Sequence, residues 1–216
     1  MGLDPDAIRR SYDRVAARYA EEFVDELDHK PLDRALLAVV ADDVRSGGRG
    51  PIADLGGGPG HAAAFLTALG ADVAVADLSP AMATIAHHRL GLAAVAGSLS
   101  ALPLRTGCLG AAVALYCLIH LDDDGLEAAV HDLARVVREG GPLLVAFHRG
   151  DETRHLDEWW GEEVDVDFRF LDSAPVSERL EQVGFTVEAV LERRSYPQEI
   201  DTRRAYILAR RRPVGS

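Results

Sequence analysis

The stretch Pro51-Ile-Ala-Asp-Leu-Gly-Gly-Gly-Pro-Gly-His61 constrains this chain most. A short apolar run ends on Asp54, glycines follow at 56, 57, 58 and 60, and an alanine-rich segment begins at once. This is the pattern of a buried parallel strand that turns sharply into a helix. Glycine permits a positive φ and leaves no Cβ between the backbone and a bound ligand. The amides of such a turn, with the first turn of the helix behind it, suit a polar or anionic group.

What surrounds the loop predicts an open parallel sheet with crossover helices. Asp4-Pro5 reads as an N-cap with proline at the first helical position. Ile8, Tyr12, Val15, Ala16, Tyr19, Phe23 and Leu27 then recur at helical spacing. Pro31 opens a second helix that ends at the glycines of 47–50. Strands are expected at 72–77, 92–97, 111–117 and 143–147, the one at 111–117 apolar on both faces as a central parallel strand is. Helices are expected at 62–69, after Ser79-Pro80, and from Asp122-Asp123-Asp124 through Val137. Residues 149–172 are polar and aromatic with no clear period, and a connection of that length reads as functional. A helix over 175–183 and an antiparallel pair at 185–191 and 205–209 close the chain. With 216 residues, 48% of them apolar, one domain over 1–216 is the expectation.

Charge and composition exclude several classes. A net charge of −12 argues against sequence-independent binding to nucleic acid or an anionic membrane. Cys108 and Cys117 make no disulfide framework, and no signal peptide or spanning segment is seen, so a cytoplasmic location is expected. Of 23 basic residues only Lys30 is lysine, which removes a P-loop and any Tyr-x-x-x-Lys pair. No metal motif appears, and no metal is predicted.

Asp54-Leu-Gly56-Gly-Gly58-Pro-Gly60 resembles the first motif of the class I S-adenosylmethionine (SAM)-dependent methyltransferases of the small-molecule type. Val75-Ala-Asp77-Leu-Ser-Pro-Ala-Met82 resembles the acidic tip of their second strand and the helix after it. Gly97-Ser98-Leu99 through Leu104 resembles their adenine-side loop, and Leu115-Tyr-Cys-Leu-Ile-His120 the segment after their fourth strand. Leu133 to Gly141 resembles the entry to their fifth strand. Tyr12 to Tyr19 resembles the N-terminal helix of many members. The ordered set spans nearly the whole chain. The resemblance implies a Rossmann-like α/β sheet of seven strands, mostly parallel with an antiparallel C-terminal strand, helices on both faces, a helical lid at 1–46 and a substrate-side insertion at 149–172.

It also implies roles. Asp54 would neighbour the methionine amino group, while Gly56, Gly58 and Gly60 let the cofactor approach the backbone. Asp77 would hold the ribose diol, with Leu78 and Met82 against the adenine. Ser98, with Leu99 beside it, stands where an aspartate is common, so the adenine amino group would meet a weaker acceptor. Lys30, Tyr12, Arg18 and Tyr19 are candidates to meet the methionine carboxylate, although a solvated surface charge is the plainer reading of Lys30. The expected activity is transfer of the SAM methyl to a small O- or N-nucleophile.

His120, just past the fourth strand on the ligand edge, is the candidate general base, and the bland alternative is a histidine that packs or bonds a carbonyl. His148 comes next, and His61, His87, His88 and His131 read as helix-surface residues. Trp159 and Trp160 are candidate substrate walls, with Tyr196, Glu199 and Arg203 adding polar contacts. Two other functions fit parts of the pattern. Gly58-x-Gly60-x-x-Ala63 with Asp77 downstream satisfies the dinucleotide fingerprint of an NAD(P)-dependent oxidoreductase. A non-methylating SAM-binding descendant of the fold is the other.

Overall fold

The computed structural model describes residues 4–213. Seven strands form the main sheet in the order β3-β2-β1-β4-β5-β9-β8. They are β1 (Ile52–Leu55), β2 (Val73–Asp77), β3 (Ala93–Ala96), β4 (Ala111–Leu115), β5 (Pro142–Arg149), β8 (Phe185–Arg193) and β9 (Arg203–Arg211). All neighbours from β3 to β5 pair in parallel, and β9 runs antiparallel between β5 and β8. The expected seven-stranded sheet with an antiparallel strand near its C-terminal end is the one found.

Alternation along the central strands divides the core. Ala112, Ala114, Leu143, Val145, Phe147 and Ile207 pack on one face, under α5 (Asp123–Val136) and α6 (Ser173–Gln182). Ala111, Val113, Leu144, Ala146 and Tyr206 face α2 (Pro31–Gly47) and α3 (His61–Ala68). β4 and nearly all of β5 are buried on both sides, which is why they read as unbroken apolar runs.

Helix entries follow the capping chemistry read from the sequence. Asp4 accepts from the Asp6 amide at the start of α1 (Pro5–Glu22), and Ser79 accepts from Met82 at the start of α4 (Pro80–Leu90). Asp122 accepts from Gly125 ahead of α5. The N-terminal helix α1 is tied at both flanks. Asp13 accepts from the Ser79 hydroxyl at 2.5 Å and from the Ala81 amide at 3.1 Å, which fixes α1 over the start of α4. Ser11 Oγ accepts from the Asp165 amide at 2.8 Å on the other side.

Residues 149–172 depart from the expectation of a segment without period. They hold a two-stranded antiparallel sheet, β6 (Thr153–Trp159) and β7 (Glu162–Arg169), joined by Trp160-Gly161. Both loop residues have positive φ, +57° and +85°, the backbone of a type I′ hairpin turn. Val164, Val166 and Phe168 alternate on the face that packs against Tyr12 and Val15 of α1. A register shift between Leu156 and Glu158 breaks the matching alternation on β6.

Candidate functional site

The C-terminal ends of β1, β2, β4 and β5, the underside of α1, and the β6–β7 hairpin enclose a cavity of about 940 Å³. This is the edge at which open α/β sheets bind ligands. Of two Trp, five Tyr and six Phe in the chain, seven line it: Tyr12, Tyr19, Phe23, Tyr116, Trp159, Phe168 and Phe170.

The glycine loop forms its floor. Gly58 has φ +55°, and a Cβ there would point into open space, so the backbone itself presents the loop's surface. At Gly57 a Cβ would stand 2.6 Å from the Asp54 carboxyl carbon, so glycine makes room for that acid. Asp54 is buried, accepts from the Ala63 amide at 3.0 Å, and burial pushes its pKa up to about 7. Asp77 accepts from the Gly58 amide with one oxygen and from the Ser79 amide with the other, both at 2.8 Å. Burial raises its pKa to about 6 despite those bonds. Each carboxylate oxygen keeps a lone pair beyond the amide it bonds. Ser98 Oγ accepts from the Ser100 amide at 3.2 Å and keeps its own proton to donate.

The aromatic roof surrounds a short hydrogen-bonded chain. Tyr12 Oη and His120 Nε2 are 2.8 Å apart, and His120 Nδ1 is 2.9 Å from the Asp167 carbonyl oxygen. A carbonyl only accepts, so Nδ1 carries the proton and Nε2 is the acceptor for the Tyr12 hydroxyl. Burial pushes the His120 pKa down to about 4 and that of Tyr12 well above its usual range. The ring is therefore neutral near pH 7. Tyr19, Trp159 and Phe168 meet these two rings edge-on.

A polar lobe lies beyond β4. Lys30 Nζ donates to Glu26 at 2.6 Å and sits 5.4 Å from the centre of the Tyr116 ring. Asp33, on α2, accepts from the Tyr206 hydroxyl at 2.9 Å and from Arg193 at 3.1 Å. Arg193 also donates to both oxygens of Glu199. His148 Nδ1 is 2.9 Å from the Thr202 hydroxyl, and the ring stacks on Phe170. Burial and the nearby Arg204 guanidinium lower its pKa to about 4.

Tyr19, Asp54, Gly56, Gly58, Asp77, Leu78, Met82, Ser98, Leu99, His120 and Trp159 thus share one cavity. Five predicted residues do not line it. A Cβ on Gly60 would strike Leu92 and Leu90, so that glycine serves the packing of α3 on its neighbours. Trp160 stacks behind Trp159 with the Arg18 guanidinium 5.4 Å above it, which also takes Arg18 away from the cavity. Tyr196 lies under the Arg193 guanidinium at 3.9 Å. Arg203 pairs with Glu192 on the outer side of β9, while Arg204, one residue on, turns inward as strand alternation requires.

Lys30 and His61 correct the surface readings given to them, because both side chains are largely buried and line the cavity. Glu26 and Asp33 were not foreseen. Asp33 had a signal: it falls on the stripe of Leu37, Val40 and Val44, a carboxylate at an apolar position of an amphipathic helix.

Residues 52–141 match the family model described as a methyltransferase domain. A comparison with curated protein sequences finds no match. Among solved structures, the DhpI complex with S-adenosylhomocysteine (SAH) superposes with a TM-score of 0.72 at 24% identity, covering 98% of each chain. A complex of the Haloferax volcanii Trm112 methyltransferase activator and a putative methyltransferase gives 0.75 at 17% identity, over 96% of this chain and 98% of that one. The Burkholderia thailandensis 1,6-didemethyltoxoflavin-N1-methyltransferase, holding 1,6-didemethyltoxoflavin and SAH, gives 0.71 at 19% identity, over 96% and 88%. Residues 52–141 are thus similar to a methyltransferase domain, and the chain shares the fold of these solved methyltransferases. The glycine loop, Asp77 and the Tyr116–His120 segment all lie inside the matched residues.

Proposed function

We propose that this protein transfers the methyl group of SAM to a small organic acceptor, received under α1 and the β6–β7 hairpin. The observation that carries this reading is the single cavity joining the Asp54–Gly58 loop and Asp77 to an aromatic chamber around His120. The residues fit the cofactor. Asp54 is a buried carboxyl held near neutrality that an ammonium would restore to its ionised form. Asp77 keeps lone pairs for a diol after bonding two amides. Leu78, Met82, Ser98, Leu99, Lys30 and Tyr19 line the same cavity, and the reading gives the first four to the adenine and the last two to the methionine carboxylate.

SAM brings a methyl group already activated on a sulfonium, so the chain need not form a covalent intermediate. What its residues do is position and exclude. The loop and Asp77 fix one partner, and the aromatic walls hold the other at a single approach and keep water out. His120, neutral and with Nε2 turned toward the cavity residue Tyr12, is the base that takes up the acceptor's proton. The N-terminal helix, pinned by Asp13 and Ser11, serves as the lid and the hairpin as the substrate-side wall. The neighbour on the same fold that holds 1,6-didemethyltoxoflavin together with SAH supports a small acceptor here.

Methyl-labelled SAM incubated with the protein and a panel of small hydroxy and amino compounds tests the reading. SAH formation that depends on both protein and acceptor is expected. Equal SAH formation with and without every acceptor would contradict it.

A further inference from the structure

The only basic nitrogen of His120 does not face the cavity bare. Nδ1 is committed to the Asp167 carbonyl, and Nε2 receives the Tyr12 hydroxyl at 2.8 Å. An acceptor's proton therefore meets Tyr12 Oη first. That oxygen has donated its own proton to Nε2 and keeps two lone pairs. Tyr12 lines the cavity, and its ring is held by edge contacts with Tyr19 at 6.2 Å, His120 at 5.4 Å and Trp159 at 5.8 Å. Such a caged ring positions its hydroxyl without further ordering. The walls around the pair, Tyr19, Trp159 and Phe168, are uncharged aromatic faces and edges. They suit a flat ring by offset or edge contact.

We propose that Tyr12 is a further catalytic residue, the group that bonds the acceptor directly and passes its proton to His120, and that the acceptor is a flat aromatic molecule with an ionisable O–H or N–H. This rests on the methyl-transfer reading and names the acceptor class and the proton path within it. The proton balance is simple. The acceptor's O–H or N–H bond breaks toward Tyr12 Oη, and the Tyr12 O–H proton moves to Nε2. The imidazolium formed is held at Nδ1 by the Asp167 carbonyl. The acceptor's electron pair makes the new bond to the methyl carbon, and the pair of the broken carbon–sulfur bond stays on sulfur.

The test is calorimetric titration of SAH-saturated protein with 2-naphthol and with its methyl ether, in the wild type and in Tyr12→Phe. The substitution keeps the ring and its packing. The wild type is expected to bind the naphthol about 2- to 10-fold tighter than the ether, the range of one hydrogen bond. Tyr12→Phe is expected to bind the two alike. In ¹⁵N spectra the naphthol is expected to shift His120 Nε2 in the wild type and to leave it unmoved in the variant. Equal binding of naphthol and ether by the wild type, binding of neither, or unchanged or tighter naphthol binding by Tyr12→Phe would overturn the proposal. Failure at the earlier step, with no SAH bound, would overturn the methyl-transfer reading itself and this inference with it.

Discussion

Asp54 shows how one buried residue sets a ligand's pH dependence. Its carboxyl is held near 7 by burial, so below neutrality it carries a proton that a ligand ammonium must expel. The sign follows from that. Affinity for SAM or SAH is greatest above pH 7 and falls by about tenfold per pH unit as the pH drops below 7, one proton being taken up on release. Asp77, held near 6, steepens the fall below that value. Titration calorimetry from pH 5.5 to 8 reads this directly, and a flat profile would mean that Asp54 does not meet a cation. Stability runs the other way from binding. Asp54 ionises in the unfolded chain near 3.8 and in the folded chain near 7, so its contribution diminishes as pH rises through that window.

At the scale of elements, Asp13 joins two helices through one carboxylate oxygen. It accepts from the Ser79 hydroxyl and the Ala81 amide at the positive end of α4. Asp13→Ala is expected to cost about 1 kcal/mol in urea unfolding and to speed amide exchange in α1 more than in β4. The elements also show what the sequence could display. β1, β2, β4 and β5 were legible because parallel strands buried on both faces are unbroken apolar runs, and the helix starts because Asp-Pro and Ser-Pro state their own capping. The β6–β7 hairpin was hidden. Its β7 strand alternates Val164, Val166, Phe168, but the register shift at Leu156–Glu158 spoils the period on β6, and Trp160 stands at a positive φ where Asn or Gly would announce the turn. Arg203 and Arg204 mark the same limit more finely, since strand parity decides which arginine meets the cavity and a shift of one residue inverts it. The cofactor loop needed no such parity, because its chemistry is carried by a contiguous stretch of backbone. Glu26 and Lys30, between α1 and α2, and Asp33, on the first turn of α2, join the site through the tertiary fold and not through any contiguous motif.

Across the whole molecule, the buried network of Asp33, Arg193, Glu199 and Tyr206 ties α2 to β8, β9 and the loop between those strands. Asp33 and Glu199 side chains are 1% and 5% exposed and Arg193 10%, so these charges answer to one another rather than to water. Removing one partner strands the others. Arg193→Met is expected to lower unfolding stability by about 3–5 kcal/mol, measured by urea titration, whereas a loss under 1 kcal/mol would show the network to be solvated. Asp33 and Glu199 of this network line the cavity, as does Arg204 of β9, so the sheet's C-terminal pair contributes to the site as well as to the core.

The central claim, that the cavity is a methyl-donor site built on the glycine loop and Asp77, is tested most directly by calorimetric titration with SAH, with NADH as the control ligand and Asp77→Ala as the control protein. Micromolar, one-to-one binding of SAH alone is predicted, weakened about 10- to 100-fold in Asp77→Ala, the range for charge-assisted hydrogen bonds. Binding of NADH in its place, or SAH binding that Asp77→Ala leaves unchanged, would contradict it.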